Sequence, residues 1–256
     1  MYGDAPTLFL HGGPGGSAAF ERAHYGRSLP IHWWDQPRSV VLYPSPFSAL
    51  VGAAQAEVRL LAQRGSGPVD VVAHAFGATL ALALAERMPD VLGTIVLLAP
   101  IHDVGAACVR FAMSLNMSAD DAMHLTTALA AFQERPELAR LRVLVDEIER
   151  VLALPFMAPV QWCHDPRMSR RSAFDRDVFD AVIGDAWSRA LPATVPHVAQ
   201  RVRVVVGAAD PMLDIDAERR RRATLCPAAR FRVVPCGHFI HLTAPPSVWW
   251  PPFLRA

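Results

Sequence analysis

The sequence predicts an α/β fold: a mostly parallel β-sheet flanked by helices and interrupted by one long helical insertion. Three observations carry that prediction. Short apolar runs rich in β-branched residues recur along the chain and alternate with helical segments. These runs are apolar on both faces, which suits a parallel sheet covered on both sides. The alternation breaks once, between about His102 and Pro196, where helix starts continue but strands do not.

Each element has a local reason. Thr7–Leu10 (TLFL) is an apolar strand closed by the tight loop HGGPGG at 11–16. Trp34 stands where the next strand should end. Ala49–Gln63 reads as a helix. Val69–His74 follows Ser-Gly-Pro and is rich in valine, hence a strand. Gly77–Met88 is rich in Ala and Leu and stops at Pro89, hence a helix. Gly93–Pro100, Arg201–Pro211 and Ala229–His238 are further strands, with Asp216–Leu225 a helix between the last two. In the insertion, Ser118-Ala-Asp-Asp121 and Ser172-Ala-Phe-Asp175 fit an N-terminal capping pattern, and Pro136 suits a first helical turn. The expected organisation is a core of residues 1–101 and 197–256 and a helical cap of residues 102–196.

Composition narrows the class. The chain has 256 residues, of which 52% are hydrophobic, so it can bury a sizeable core. A net charge of +1 argues against a nucleic-acid surface. All 25 basic residues are arginine. The one dense basic run, Arg219–Arg222, is expected to be a solvated helix face, because a helical turn spreads its members around the axis. Cys108, Cys163, Cys226 and Cys236 form no C-x-x-C pair, so neither a metal site, a redox motif nor a disulfide framework is expected. No cofactor motif stands out. The N-terminus lacks the pattern of a signal peptide, and no apolar run reaches the ~18 residues of a membrane span. The expectation is a soluble cytoplasmic protein without nucleic-acid or membrane partners; its oligomeric state is not readable.

The chemistry concentrates at the ends of strands. Ala73-His74-Ala75-Phe76-Gly77 has small residues two before and two after position 75, as a sharp strand-to-helix turn bearing a nucleophile requires. Asp210 follows the strand ending Val206-Gly207, and His238 follows the next. In a parallel sheet those strand ends share one edge, so positions 75, 210 and 238 should converge. Their order along the chain is nucleophile, acid, base. Asp210 would fix the imidazole tautomer and His238 would take the proton. Asp103 and Asp214 are reserve candidates for the acid. The Phe76 N–H and a donor from the Gly12-Gly13 stretch, most simply the Gly13 N–H, would form an oxyanion hole. A phosphate loop is disfavoured because no Gly-Lys-Ser/Thr follows. His74 and His241 are read as structural. The stretch Trp34–Ser39 reads either as a plain loop or as part of the site lining.

These segments resemble the α/β-hydrolase superfamily, and within it the proline iminopeptidase-like group. HGGPGG at 11–16 is similar to that group's oxyanion motif, and Asp35-Gln36 to the start of its D-Q-R-G element, from which Pro37-Arg38 departs. AHAFG at 73–77 matches the elbow except for the serine. GAADP at 207–211 and GHFIH at 237–241 match the acid and base segments. The resemblance covers roughly residues 6–100 and 200–245 and implies a Ser-Asp-His hydrolase with a helical cap. The two strands that usually precede the HGG strand are not expected, and the Pro-rich end is unlike the usual final helix.

Ala75 is the departure that matters. Three readings stand: a serine deliberately replaced; an enzyme that uses His238 and Asp210 as a general base without a covalent intermediate, as a lyase, cyclase or cofactor-free oxygenase; or a binding protein that keeps the pocket. The first is preferred, because Asp210, His238 and both oxyanion segments are intact. Loss of the nucleophilic serine of a triad costs about 10⁶-fold in turnover. The cap contributes Phe111, Met113, Met117, Met123, Phe156, Met157 and Trp187, which either pack its own helices or line a pocket for an apolar acyl group. Glu134, Glu137, Asp146, Glu147 and Glu149 could hold a substrate amine or be plain surface charge. The expected substrate is a small apolar acyl compound, an ester, thioester or lactone rather than a peptide.

Overall fold

A computed structural model describes residues 5–26, 28–65, 67–152, 174–187 and 201–254. Its centre is a six-stranded sheet, all parallel, in the order β2-β1-β3-β4-β5-β6. The strands are β1 (Thr7–Leu10), β2 (Ile31–Trp34), β3 (Val69–His74), β4 (Leu92–Leu98), β5 (Val202–Gly207) and β6 (Arg230–Val234). The predicted strands all form, although the last three are shorter than their apolar runs because the chain turns before the run ends.

Side-chain alternation along the strands builds two cores. Leu8, Leu10, Val69, Val71, Ala73, Ile95, Leu97, Val204 and Val206 face one side. There they meet α2 (Pro46–Arg64), α3 (Gly77–Arg87) and α8 (Ile215–Leu225). Phe9, Val72, Val96, Leu98 and Val205 face the other side, against α1 (Ala19–Tyr25) and the C-terminal segment. That segment holds the short helices α9 (Ile240–Thr243) and α10 (Pro251–Leu254). It also buries Trp249 and Trp250, which are 0% and 1% exposed. The Pro-rich end therefore replaces a final long helix: two indoles cover the sheet where a helix face would. All six residues of β3 are buried. A Val or Leu side chain so placed stabilises by about 1.5–3 kcal/mol.

The insertion between β4 and β5 carries α4 (Val104–Ser114), α5 (Ala119–Glu134), α6 (Leu138–Leu152) and α7 (Arg176–Trp187), and no strand among the described residues. On α6, Leu141, Leu144, Val145 and Ile148 repeat at helical spacing and are buried. The apolar faces of α5, α6 and α7 join the core that covers one side of the sheet. Of the expected helix starts, α5 begins directly after Ser118. Ser172 lies outside the described residues, and α7 is instead capped by Asp175, which accepts from the Val178 N–H at 3.1 Å. The Arg219–Arg222 run lies on α8 with Arg219, Arg220 and Arg221 exposed, as expected of a solvated face. Arg219 and Arg222 lie over the Phe231 ring, and Arg222 donates to the Ala229 carbonyl at 2.6 Å, so two of the four fasten α8 to β6.

Candidate active site

The carboxyl ends of the strands converge on one edge, and the turn after β3 is the tightest structure there. Ala75 has φ = +49°, a left-handed conformation that costs a residue with a Cβ roughly 1–2 kcal/mol. Its neighbours hold it there. The Ala75 N–H donates to the Leu98 carbonyl at 2.9 Å, and the Ala75 carbonyl accepts from the Ile101 N–H at 3.1 Å. Both partners flank Ala99, itself at φ = +44° at the end of β4. The two left-handed alanines, each just past the end of its strand, are thus held by backbone bonds, Ala75 to Leu98 and Ile101 and Ala99 to Val205, and strain persists because the surroundings over-determine it. Close packing sets the residue at 77: a Cβ there would lie 2.4 Å from the Leu10 carbonyl oxygen.

Position 75 meets the loop after β1 at Gly12. A Cβ on Gly12 would come within 3.0 Å of the Ala75 Cβ and 2.9 Å of His74 Nδ1. Glycine is what lets the loop backbone lie against the elbow. Gly13, next along, has φ = +63°. The loop is braced from β2. His11 Nε2 accepts from the Gln36 N–H at 3.2 Å, which leaves Nδ1 to donate to the Gly12 carbonyl at 2.9 Å. Burial pushes the His11 imidazole below its ordinary pKa of 6.5, so it is neutral, as this pairing needs. Asp35 accepts from the Ala18 N–H at 2.8 Å and from Arg22 at 2.7 Å. Burial raises the Asp35 carboxyl, but the Arg22 and Ala18 bonds outweigh it and hold the group below its ordinary range. Residues 35–37 are a loop, in which Gln36 braces the glycine loop from behind and Asp35 holds the start of α1.

Asp210 and His238 are brought together by the loops after β5 and β6. The Ala208 N–H donates to the Val234 carbonyl and the Ala209 N–H to the Cys236 carbonyl, at 2.8 and 3.0 Å. His238 Nδ1 then lies 2.8 Å from Asp210 Oδ2, with both side chains buried. The other Asp210 oxygen accepts from the Met212 N–H at 2.9 Å. A carboxylate oxygen accepts, so His238 donates through Nδ1 and its Nε2 faces away from Asp210. That Nε2 is buried with no hydrogen-bond partner among the described residues. Asp103 and Asp214 are engaged elsewhere: each caps a helix, accepting at 2.9 Å from Ala106 and Ala217 respectively.

His74 lies behind this pair. The parity of β3 turns it to the face opposite Ala73, and its Nε2–H donates to the His238 carbonyl at 3.1 Å. Burial, with the neighbouring imidazoles, holds it well below its ordinary pKa. His241 is fully buried and pairs with Glu21 at 2.8 Å. Glu21 was not foreseen, because nothing in the stretch AAFERAHY marks that acid as buried.

A cavity of about 1050 Å³ opens beside Phe76. Phe47, Phe76, Ile183 and Trp187 supply apolar lining, Glu86, Arg87, His102, Asp103, Arg220 and Arg221 supply charged and polar lining, and of the site residues only Phe76 borders it. Of the apolar residues expected in the insertion, Trp187 reaches this lining, Met113 and Met123 are exposed, and Phe156 and Met157 lie outside the described residues. The five acids there meet arginines: Glu134 with Arg140, Glu137 with Arg135, Asp146 and Glu149 with Arg176, and Glu147 with Arg150.

A parallel sheet whose strand ends gather a left-handed elbow, a glycine loop and a buried Asp–His pair defines the class of the α/β hydrolases. The chain belongs to that family: the model of the "Alpha/beta hydrolase family" matches residues 7–248. A lipase of Mycobacterium tuberculosis (strain ATCC 25618 / H37Rv), Lipase LipV, is 33% identical over 123 residues. That match spans about half of each protein, 46% of this chain and 46% of the lipase. Among solved structures, a proline iminopeptidase-related protein from Thermus thermophilus superposes with a TM-score of 0.62 at 22% identity, over 96% of this chain and 86% of that one. A hydrolase from Oleispira antarctica gives 0.57 at 12% identity, over 99% and 90%. At these identities the superpositions speak to the fold.

Proposed function

We propose that this chain is an acyl-hydrolase scaffold of the esterase, thioesterase or lactonase type, built for a nucleophilic hydroxyl at position 75. With Ala75 in that place it is nearly inert in covalent hydrolysis. The observation that carries the reading is the buried Asp210–His238 pair, whose free Nε2 belongs to the segment packed against the elbow through His74. In the serine form, His238 Nε2 would take the hydroxyl proton as Oγ attacks the acyl carbon. Asp210 would stabilise the resulting imidazolium without itself taking the proton. The Phe76 and Gly13 N–H groups would bind the developing oxyanion; among the described residues neither has another acceptor. His238 would then protonate the leaving group and activate water to release the acid.

A small apolar acyl group fits the apolar part of the lining beside Phe76, made by Phe47, Ile183 and Trp187, with residues 102–196 acting as a cap over a core of 1–101 and 197–256. The pairing of Glu134, Glu137, Asp146, Glu147 and Glu149 with arginines disfavours these five as an amine-binding peptidase site. No helix among the described residues is long and apolar enough to cross a membrane.

The test is Ala75→Ser assayed beside the unchanged chain on acyl esters, thioesters, lactones and aminoacyl arylamides. The serine form should gain at least 10³-fold on one acyl class, out of the roughly 10⁶-fold a triad serine supplies. No gain on any class would overturn the reading, and a gain on arylamides alone would replace it with peptidase action. The buried, unpartnered Nε2 also favours a second reading, general-base chemistry with Ala75 in place. That reading requires the unchanged chain to turn over a substrate by proton abstraction and to lose this activity on His238→Ala.

A further inference from the structure

We propose that Glu21 and His241 are positioning residues, a buried clamp that fixes the loop carrying Gly12 and Gly13 relative to the loop carrying His238. This rests on the reading of Gly13 as an oxyanion donor and His238 as the base. Glu21 lies on α1, directly after the glycine loop, and His241 lies three residues after His238. Their side chains are 6% and 0% exposed and meet at 2.8 Å across 220 positions of sequence. A second bond runs beside the first, from the Tyr25 hydroxyl on α1 to the His241 carbonyl. A third leads to the site: His74 packs between the two imidazoles, with ring centroids 4.4 Å from His241 and 4.8 Å from His238, and donates to the His238 carbonyl.

Stability does not explain this choice of residues. A buried carboxylate and imidazole must be stripped of water, and well-packed apolar residues of similar volume usually serve stability as well or better. Here the far atoms, Glu21 Oε2 and His241 Nδ1, lack any partner among the described residues, so the pair is not even fully satisfied. What a hydrogen bond adds over apolar contact is direction. This one joins α1 and α9, the helices that follow the two loops whose separation decides whether base and oxyanion donors act on one substrate, and small misplacements there lower rates strongly.

The experiment compares Glu21→Ala, Glu21→Gln and Tyr25→Phe, each with and without Ala75→Ser, well below the unfolding midpoint. Two readouts are followed: the exchange rate of the His238 Nδ1 proton by NMR, and kcat and KM on an activated acyl ester. Glu21→Ala should speed proton exchange at least 10-fold and, in the serine form, lower kcat at least 30-fold with KM within about threefold. Glu21→Gln, which still accepts from His241, should restore both within about threefold. Tyr25→Phe, which leaves the buried pair intact and should fold even where Glu21→Ala does not, should lower kcat 3- to 10-fold. Lower thermal stability with unchanged proton exchange and kcat would overturn the clamp. If the serine form proves inactive, the acyl-hydrolase reading fails, and the exchange rate in the Ala75 chain decides the clamp alone.

Discussion

At the scale of residues, position 75 is a backbone feature before it is a chemical one. Ala75 keeps a left-handed conformation that alanine gains nothing from, held by bonds to Leu98 and Ile101. The conformation serves whatever side chain stands there by lifting it off the strand. The neighbouring pair is tuned by partners rather than by position alone. Asp210 binds His238 with one oxygen and the Met212 N–H with the other, so the carboxylate cannot rotate away. Asp210→Asn in the Ala75→Ser form presents an amide that favours the wrong imidazole tautomer. It should lower kcat on the best acyl ester by about 10⁴-fold with little change in fold. A steady-state assay beside a circular dichroism spectrum checks both parts.

At the scale of elements, the site depends on how closely α3, β1 and the β1–α1 loop pack. Every residue of α3 from Gly77 to Ala85 is buried. Its first residue lies under the carbonyls of Leu10 and His11, where an added methyl group would come within 2.4 and 2.9 Å. Backbone atoms of a sheet cannot move aside as a side chain would. Gly77→Ala should therefore destabilise by about 1–3 kcal/mol, the usual cost of overpacking. It should also displace the glycine loop. Urea unfolding measures the first effect, and amide chemical shifts of residues 11–16 the second. The same loop is held from two further directions, by Gln36 and Asp35 after β2 and by the Asp175 N–H, which donates to the Gly15 carbonyl at 2.8 Å. The start of α7 thus touches the glycine loop directly.

At the scale of the molecule, fully buried imidazoles couple stability to pH. His11 and His74 are both pushed below the ordinary value of 6.5, first by burial. The folded state keeps them neutral, whereas the unfolded chain protonates them as pH falls through 6.5. Their contribution is fully present above that pH and declines below it, by about 1.4 kcal/mol per pH unit for each imidazole until the folded-state value is reached. Urea midpoints measured from pH 7 to pH 5 should fall, and His74→Asn should make the decline shallower. An unchanged slope in that variant would place the loss on other groups.

Much of this was legible in the sequence, and the boundary has a physical cause. Apolar runs with β-branched residues mark a strand locally, so TLFL, VDVVAH and RVRVVVG announced the sheet. Parallel order then placed their ends on one edge, and small residues around position 75 announced the elbow. Those signals are local or periodic and survive in one dimension. Glu21 gave no such signal, because an acid is buried only by virtue of its partner, and His241 lies at the other end of the chain. Likewise, whether Asp103, Asp210 or Asp214 would face His238 depended on which two of them the helices claimed as caps. The linear chain determined the fold class and the candidate residues. Tertiary packing decided which polar groups meet, since burial and hydrogen-bond direction exist only once distant segments are brought together.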